Sequence, residues 1–477
     1  MNRNWLLLGL SLFATFSPDS KDTQPAQTIA VVHVTVIDAT GALPRTDQTV
    51  LIEGNRIAAV GPSNSTVPPR QAQIVDARGF YLIPGLWDMH VHIWDADLAF
   101  PLFLANGITG VRNTGGHPDE LRRWRQELSE GKRLGPRLVA CGPVVDGPPP
   151  IHPDHSVIVE NAMQGSAAVR DLKSQGWDFV KVYDNVSRES YFAIAAEAKK
   201  DGIPFVGHVP LSVTAIEASD AGQKSIEHLD GLDYVISPLG DRFRRDRLER
   251  IGKPPQPGEM MKIPVRIADE INSIADTYDE KRAGDLFAHL VRNGTWQVPT
   301  LSVANVFASI GDAAFFHDVR LKYVSQRDRD WWQNNPIVHI DLPDYVSARK
   351  RAFQQALRIT REAHQAGVRF LVGTDSGGVP YLYYGFSVHD EIALLVQAGF
   401  TPMQALQSAT RDPAQFLGFK DSGTIEVGKH ADLLLLRADP LVDIHNTKEL
   451  QALFIGGRLL DRRELDALLS SAENRAK

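Results

Sequence analysis

Short apolar runs along this chain end, one after another, in a side chain that can bind a metal ion. The first, residues 80–86, leads into Asp88-Met89-His90-Val91-His92. On a β-strand, residues two apart share a face, so His90 and His92 point two imidazoles at one place, as a divalent ion with nitrogen ligands requires. Later runs end in the same way at Lys181, His208, His228 and Asp375, with stretches of helical character between them. Strands alternating with helices build a parallel sheet, and functional groups at the C-terminal ends of successive strands characterise a (β/α)8 TIM barrel. A single His or Asp at a strand end is ordinarily a hydrogen-bonded structural residue; six in series are not explained that way. Lys181 is the oddest of them, since a lysine inside an apolar strand needs a partner.

Eight barrel strands are expected at residues 82–92, 107–114, 137–145, 177–183, 203–208, 225–229, 296–302 and 369–375. The intervals 231–294 and 303–366 are too long for simple connections and are expected to be helical insertions over the active-site face. The chain ends read differently. Two-residue turns at Gly54-Asn55 and Gly456-Gly457 each separate apolar runs rich in β-formers, the pattern of a hairpin. Neither end has enough strands to bury a core alone, so the two are expected to combine in one small β-sandwich. The expected organisation is a signal peptide and linker over 1–27, β-sandwich over 28–80, barrel over 81–420, β-sandwich again over 421–465, and a C-terminal tail over 466–477.

The ordered set His-x-His, Lys, His, His, Asp resembles the amidohydrolase superfamily in its binuclear metal subtype. All six positions are filled here, and the match extends beyond them. Ile83-Pro84-Gly85-Leu86-Trp87-Asp88-Met89-His90-Val91-His92, residues 399–406, Ala409-Thr410-Arg411-Asp412-Pro413-Ala414 and residues 423–433 each resemble family segments. Within the superfamily the chain looks most similar to the imidazolonepropionase-like and Xaa-Pro or Xaa-Arg dipeptidase-like branch. The resemblance implies two divalent ions, with zinc the default for such a donor set. His90, His92 and Asp375 would hold one, and His208 and His228 the other. An ammonium has no lone pair, so Lys181 would bridge them as a carbamate formed from its neutral amine. Two ions roughly 3.5–4 Å apart would share a hydroxide for attack on a carbonyl. Asp375 would shuttle its proton to the leaving nitrogen, and Tyr183, on the same strand face as Lys181, would donate to the oxyanion.

Composition narrows the remainder. Net charge is −7, from 51 basic and 58 acidic residues, with no basic stripe that would suit nucleic acid. The densest basic run, Arg242 to Arg250, is broken by Asp246 and Glu249 and reads as a solvated helix face. Arg3 followed by an apolar stretch over residues 5–16 reads as an export signal, too short to span a membrane, which implies a periplasmic or secreted enzyme with no membrane span in the mature chain. Cys141 is the only cysteine and has no base beside it, so it reads as a core residue. His152, Asp154 and His155 lie in a Pro-rich loop on the catalytic face and read as substrate contacts, whereas His389 opens an apolar helix. Asn113 stands where the family usually has Asp, which puts the support around the metal ligands in question. The reading is a metal-dependent hydrolase of amide or peptide bonds in dipeptides or small N-acyl compounds, and a homo-oligomer is compatible with it. The alternatives are a cyclic amide hydrolase, an ester or lactone hydrolase, and a catalytically dead barrel that binds a solute.

Overall fold

Gly85 divides the first apolar run between two sheets. The structure, a computed structural model, describes residues 28–253, 259–309, 312, 317–335, 340 and 342–477. The strand expected over 82–92 is two strands, Tyr81–Pro84 and Leu86–Val91. Tyr81–Pro84 pairs antiparallel with Leu433–Leu436 and parallel with Thr28–Val36, whereas Leu86–Val91 pairs parallel with Ile108–Asn113. At the junction the Gly85 amide donates to the Asp432 carbonyl, and a Cβ on Gly85 would lie 2.1 Å from Thr109 Oγ1. No larger residue fits that crossing. The small sheet therefore runs to Pro84, past the boundary expected at residue 80.

Both chain ends meet in that sheet. Its order is Arg458–Leu460, Leu450–Ile455, Leu433–Leu436, Tyr81–Pro84, Thr28–Val36, Arg45–Glu53 and Arg56–Pro62, with Gln73–Asp76 also paired to Thr28–Val36. The expected sandwich thus takes the form of one continuous eight-stranded sheet. Glu53 pairs with Arg56 and Ile455 with Arg458, so both glycine turns close hairpins. Ile29, Val31, Val50, Leu433, Leu435 and Phe454 are fully buried in a shared core, which neither end could form separately.

The rest is a TIM-barrel-like α/β arrangement. Leu86–Val91, Ile108–Asn113 and Arg137–Ala140 run parallel, as do Val144–Asp146, Val180–Val182, Phe205–Gly207, Ser225–Glu227 and Trp296–Val298. The third expected strand is split after Ala140, where Gly142 takes φ +71°. The seventh ends at Val298, and Leu301–Ala308 is already helical. The eighth, residues 369–375, forms only isolated bridges. Phe370 pairs with Gln297 and Ser376 with Val91, and the Met89 amide donates to the Val372 carbonyl. The last segment therefore lies between the seventh strand and the first.

Both long intervals are helical, with Leu232–Ile236, Gly240–Leu248, Ile263–Asp276 and Glu280–Asn293 in the first and Leu301–Ala308, Gln326–Asn334 and Pro343–Gln365 in the second. Only the second, among the described residues, contributes to the wall of the main cavity. The first packs beside it, Ile263–Asp276 lying against Pro343–Gln365. The basic run begins on Gly240–Leu248 and ends just past it; Arg242, Arg245 and Arg250 are exposed, whereas Arg244 and Arg247 are half-buried against Leu211 and Glu270. The export-signal segment lies outside the described residues, and no helix among them is long and apolar enough to cross a membrane.

The expected tail is a helix, Arg462–Ala476, started by a capping box between Asp461 and Glu464. It buries Ala472 and Ala476 against Leu98 and Leu102 of the helix Ala96–Ala105. An apolar face at helical spacing has a partner here, which explains why a short polar-looking terminus is ordered. Ala472 is fully buried. Ala472→Asp should cost about 3 kcal/mol by burying an unpaired charge. Differential scanning calorimetry should record a Tm several degrees lower; an unchanged Tm would mean that this helix is not docked.

Candidate active site

The six sequence-predicted residues converge at the C-terminal ends of the parallel strands. His90 lies within Leu86–Val91 and Lys181 within Val180–Val182; His208 and His228 directly follow Phe205–Gly207 and Ser225–Glu227. His228 and Asp375 both have left-handed backbones, φ +61° and +62°. A residue with a Cβ is strained there, at roughly 1–2 kcal/mol, and such strain gathers where a site needs a particular aim.

His90 Nε2 lies 3.5 Å and His92 Nε2 3.3 Å from the same oxygen, Oδ1 of Asp375. These three residues form a group whose donor atoms could hold one cation. The His228 ring lies between the other imidazoles, 4.7 Å from that of His90 and 4.9 Å from that of His208, centroid to centroid. Lys181 is fully buried, and among the described residues its Nζ has no hydrogen-bond partner; the same is true of His90 Nε2. Burial holds the Lys181 amine below the usual lysine range. Burial also lowers His90 well below the usual imidazole range, with the Lys181 charge the next cause, and it lowers His228 to about 3. An amine and an imidazole nitrogen buried without partners are costly unless something absent from the protein chain satisfies them.

All four imidazoles are anchored through the other ring nitrogen. His90 Nδ1 is 2.8 Å from Glu227 Oε2, and His92 Nδ1 is 3.0 Å from the Gly115 carbonyl oxygen. His208 Nδ1 is 2.6 Å from Asp184 Oδ1, and His228 Nδ1 is 2.7 Å from Thr300 Oγ1. Glu227, the Gly115 carbonyl and Asp184 can only accept, which puts the proton on Nδ1 of His90, His92 and His208 and leaves the Nε2 lone pair available, the usual arrangement of metal-ligating histidines; the Thr300 hydroxyl orients His228. Asp184 and Asp230 form a second donor group with His208. Asp184 is engaged at His208 Nδ1, and Asp230 Oδ2 accepts from the Val209 amide, so both act here as supports of the His208 strand end.

Beneath His90 lies a buried ionic network that sequence reasoning missed. Arg112 donates to both Glu227 oxygens at 2.8 and 2.9 Å, to Ser225 Oγ and to the Met89 carbonyl. Arg112 and Glu227 are both fully buried. A charged residue inside a short apolar strand was the available signal, as it was for Lys181. Asn113 keeps a supporting role: it accepts from the Ile93 amide and donates to the Gly115 carbonyl that also holds His92.

The site opens into a cavity of about 1340 Å³. His152, His155 and Tyr183 line it, whereas Asp154 does not. Tyr183 stacks on His208 at 4.2 Å and its hydroxyl is 3.1 Å from His152 Nε2; burial pushes its phenol up, so it stays a donor. The insertion supplies Phe307, Tyr323, Trp331 and Trp332, an aromatic wall invisible to motif reading. His389 is remote from the cavity, buried against Thr447 and the Asn106 carbonyl. Cys141 is fully buried, which pushes its thiol up to about 12 and leaves it inert.

Glu227→Gln keeps the size of the side chain but leaves the Arg112 charge without its counter-ion. Breaking a buried pair from one side costs about 3–5 kcal/mol. The variant should unfold at lower denaturant concentration; an unchanged midpoint would remove this pair from the account.

The sequence matches the Amidohydrolase family over residues 81–274 and 333–460. It is similar to an imidazolonepropionase from Rhizobium rhizogenes, 24% identical over 405 residues that span 82% of this chain and 86% of that one. Among solved structures it resembles a bottromycin amidohydrolase, with TM-score 0.72, 26% identity, and 94% of this chain and 90% of that one covered. It also shares the fold of a putative prolidase from Bifidobacterium longum, with TM-score 0.67, 23% identity, and 94% and 100% covered. The chain belongs to the amidohydrolase family and is an enzyme that acts on carbon–nitrogen bonds.

Proposed function

We propose that the protein is a metal-dependent hydrolase of amide or peptide bonds in dipeptides or small N-acyl compounds, built on a full (β/α)8 barrel. The observation that carries this reading is the set of four histidines, each held at Nδ1, around a buried amine with no partner. His90, His92 and Asp375 would hold one divalent ion and His208 and His228 a second, with Lys181 bridging as a carbamate once its neutral amine adds carbon dioxide and loses a proton. Zinc suits the nitrogen and oxygen donors. Such a pair supplies Lewis acidity, polarising the scissile carbonyl and making water acidic enough to attack near neutral pH.

The protein side chains then have separable tasks. Asp375 Oδ1 takes the proton of the attacking water and returns it to the leaving nitrogen. Tyr183 donates its hydroxyl hydrogen to the oxygen on which charge develops. Glu227 and Asp184 keep His90 and His208 aimed and in one tautomer, and Thr300 aims His228. The aromatic wall excludes water and binds the bulk of the substrate. The relatedness to imidazolonepropionase over most of the chain favours a cyclic amide as the second reading. The charged start and apolar stretch before residue 17 support export from the cytoplasm.

His90→Ala and Asp375→Asn separate holding metal from moving a proton. His90→Ala should lose both bound metal, by elemental analysis, and hydrolysis. Asp375→Asn should retain part of its metal while amide turnover falls about 10²–10⁴-fold. An activated ester, whose leaving group departs unprotonated, should suffer less. Full metal and near wild-type amide turnover in either variant would refute the assignment.

A further inference from the structure

A second, smaller cavity of about 150 Å³ opens beside the first, sharing His228, Val303 and Phe307 with it. The rest of its wall is largely small and apolar, with Pro299, Ala304, Ala352 and Ala356, and among the described residues Arg349 is the only acid or strong base that lines it. The helix Pro343–Gln365 explains this placement. Tyr345, Arg349, Ala352 and Ala356 recur at steps of four, three and four, so they share one face. Tyr345 and Phe307 hold the guanidinium in place. Arg349 Nε donates to the Tyr345 hydroxyl at 2.9 Å, and its central carbon lies 4.9 Å from the Tyr345 ring centroid and 5.0 Å from that of Phe307. Among the described residues, no carboxylate pairs with Arg349.

The main cavity lacks an equivalent. Among the described residues its only arginine, Arg327, is exposed and faces Asp328 at 3.2 Å, and Asp119 and Glu120 add negative charge. A guanidinium held through Nε, with no carboxylate partner among the described residues, at an apolar pocket beside a hydrolytic site, is suited to an anion carried on a short hydrocarbon stem. Its volume matches a cavity that holds benzene, which admits a branched aliphatic side chain or a small ring.

We propose that Arg349 binds the free carboxylate of the substrate, and that the substrate is therefore an N-acyl amino acid, or a dipeptide, ending in a small apolar residue. The proposal rests on the hydrolytic reading for its substrate, but the anion pocket can be tested without catalysis. Isothermal titration of the metal-loaded full chain would compare 4-methylpentanoate with 4-methylpentan-1-ol. The carboxylate should bind at least about tenfold more tightly. Arg349→Met should weaken the carboxylate about 10- to 100-fold and leave the alcohol unchanged. Any contact between the carboxylate and the metals is common to both proteins and cancels in this comparison. Ala356→Leu, which fills the stem region and leaves the arginine, should weaken both ligands. In kinetics, Arg349→Met should raise KM for N-acetylleucine more than it lowers kcat, and should spare N-acetylleucinamide.

Equal carboxylate affinity in wild type and Arg349→Met overturns the proposal, as does an equal loss for acid and alcohol. Arg349-dependent binding without hydrolysis of any amide would overturn the hydrolytic reading and leave the anion pocket standing.

Discussion

Every imidazole of the site is held by a hydrogen bond at Nδ1, and the remaining organisation follows from that constraint. A histidine free to rotate or change tautomer could not present a fixed nitrogen lone pair. The partners come from four separate places: Glu227 on the strand Ser225–Glu227, the Gly115 carbonyl, Asp184 beyond the Lys181 strand, and Thr300 ahead of a helix. The strands must therefore be in register before the site exists. In return, Lys181 Nζ and His90 Nε2 are buried without a hydrogen bond among the described residues, which costs the fold free energy.

The support continues below the imidazoles. Glu227 is aimed at His90 because Arg112 and Ser225 hold its oxygens, and Arg112 is fixed in turn by the Met89 carbonyl one residue before His90. Asp88 accepts from the His90 amide, the Thr374 amide and the Thr374 hydroxyl, tying the first strand to the segment that delivers Asp375. Burial raises the Asp88 carboxyl to about 7. Rigidity around these imidazoles is thus obtained from polar groups with no access to solvent, which makes them intolerant of substitution.

Residues whose type and spacing carry the chemistry were legible in the sequence. His90 and His92 two apart, and Lys181, His208, His228 and Asp375 at the ends of apolar runs, announce themselves because such residues are out of place there. Glu227 and Arg112 carried a similar signal but lacked a spacing rule, because their pairing spans two strands far apart in sequence. The break at Gly85 was hidden because the apolar run continues from Tyr81–Pro84 into Leu86 and Trp87, and the Thr109 approach and the Gly85–Asp432 hydrogen bond that mark it come from residues distant in sequence. The terminal helix was missed because its partner face, Leu98 and Leu102, lies more than 360 residues away. Arg349 and the aromatic wall sit in an insertion where no strand period guides the reading.

The central claim is a binuclear site bridged by Lys181. Its most direct test is a metal count on the wild-type and Lys181→Ala chains, combined with ¹³C nuclear magnetic resonance of the wild type equilibrated with ¹³C-bicarbonate. The account predicts two ions per wild-type chain, a carbamate resonance that is absent from the variant, and loss of metal in Lys181→Ala that added formate partly restores. Two ions per chain in Lys181→Ala, or an unmodified Lys181 amine in the active metal-loaded wild type, would contradict it.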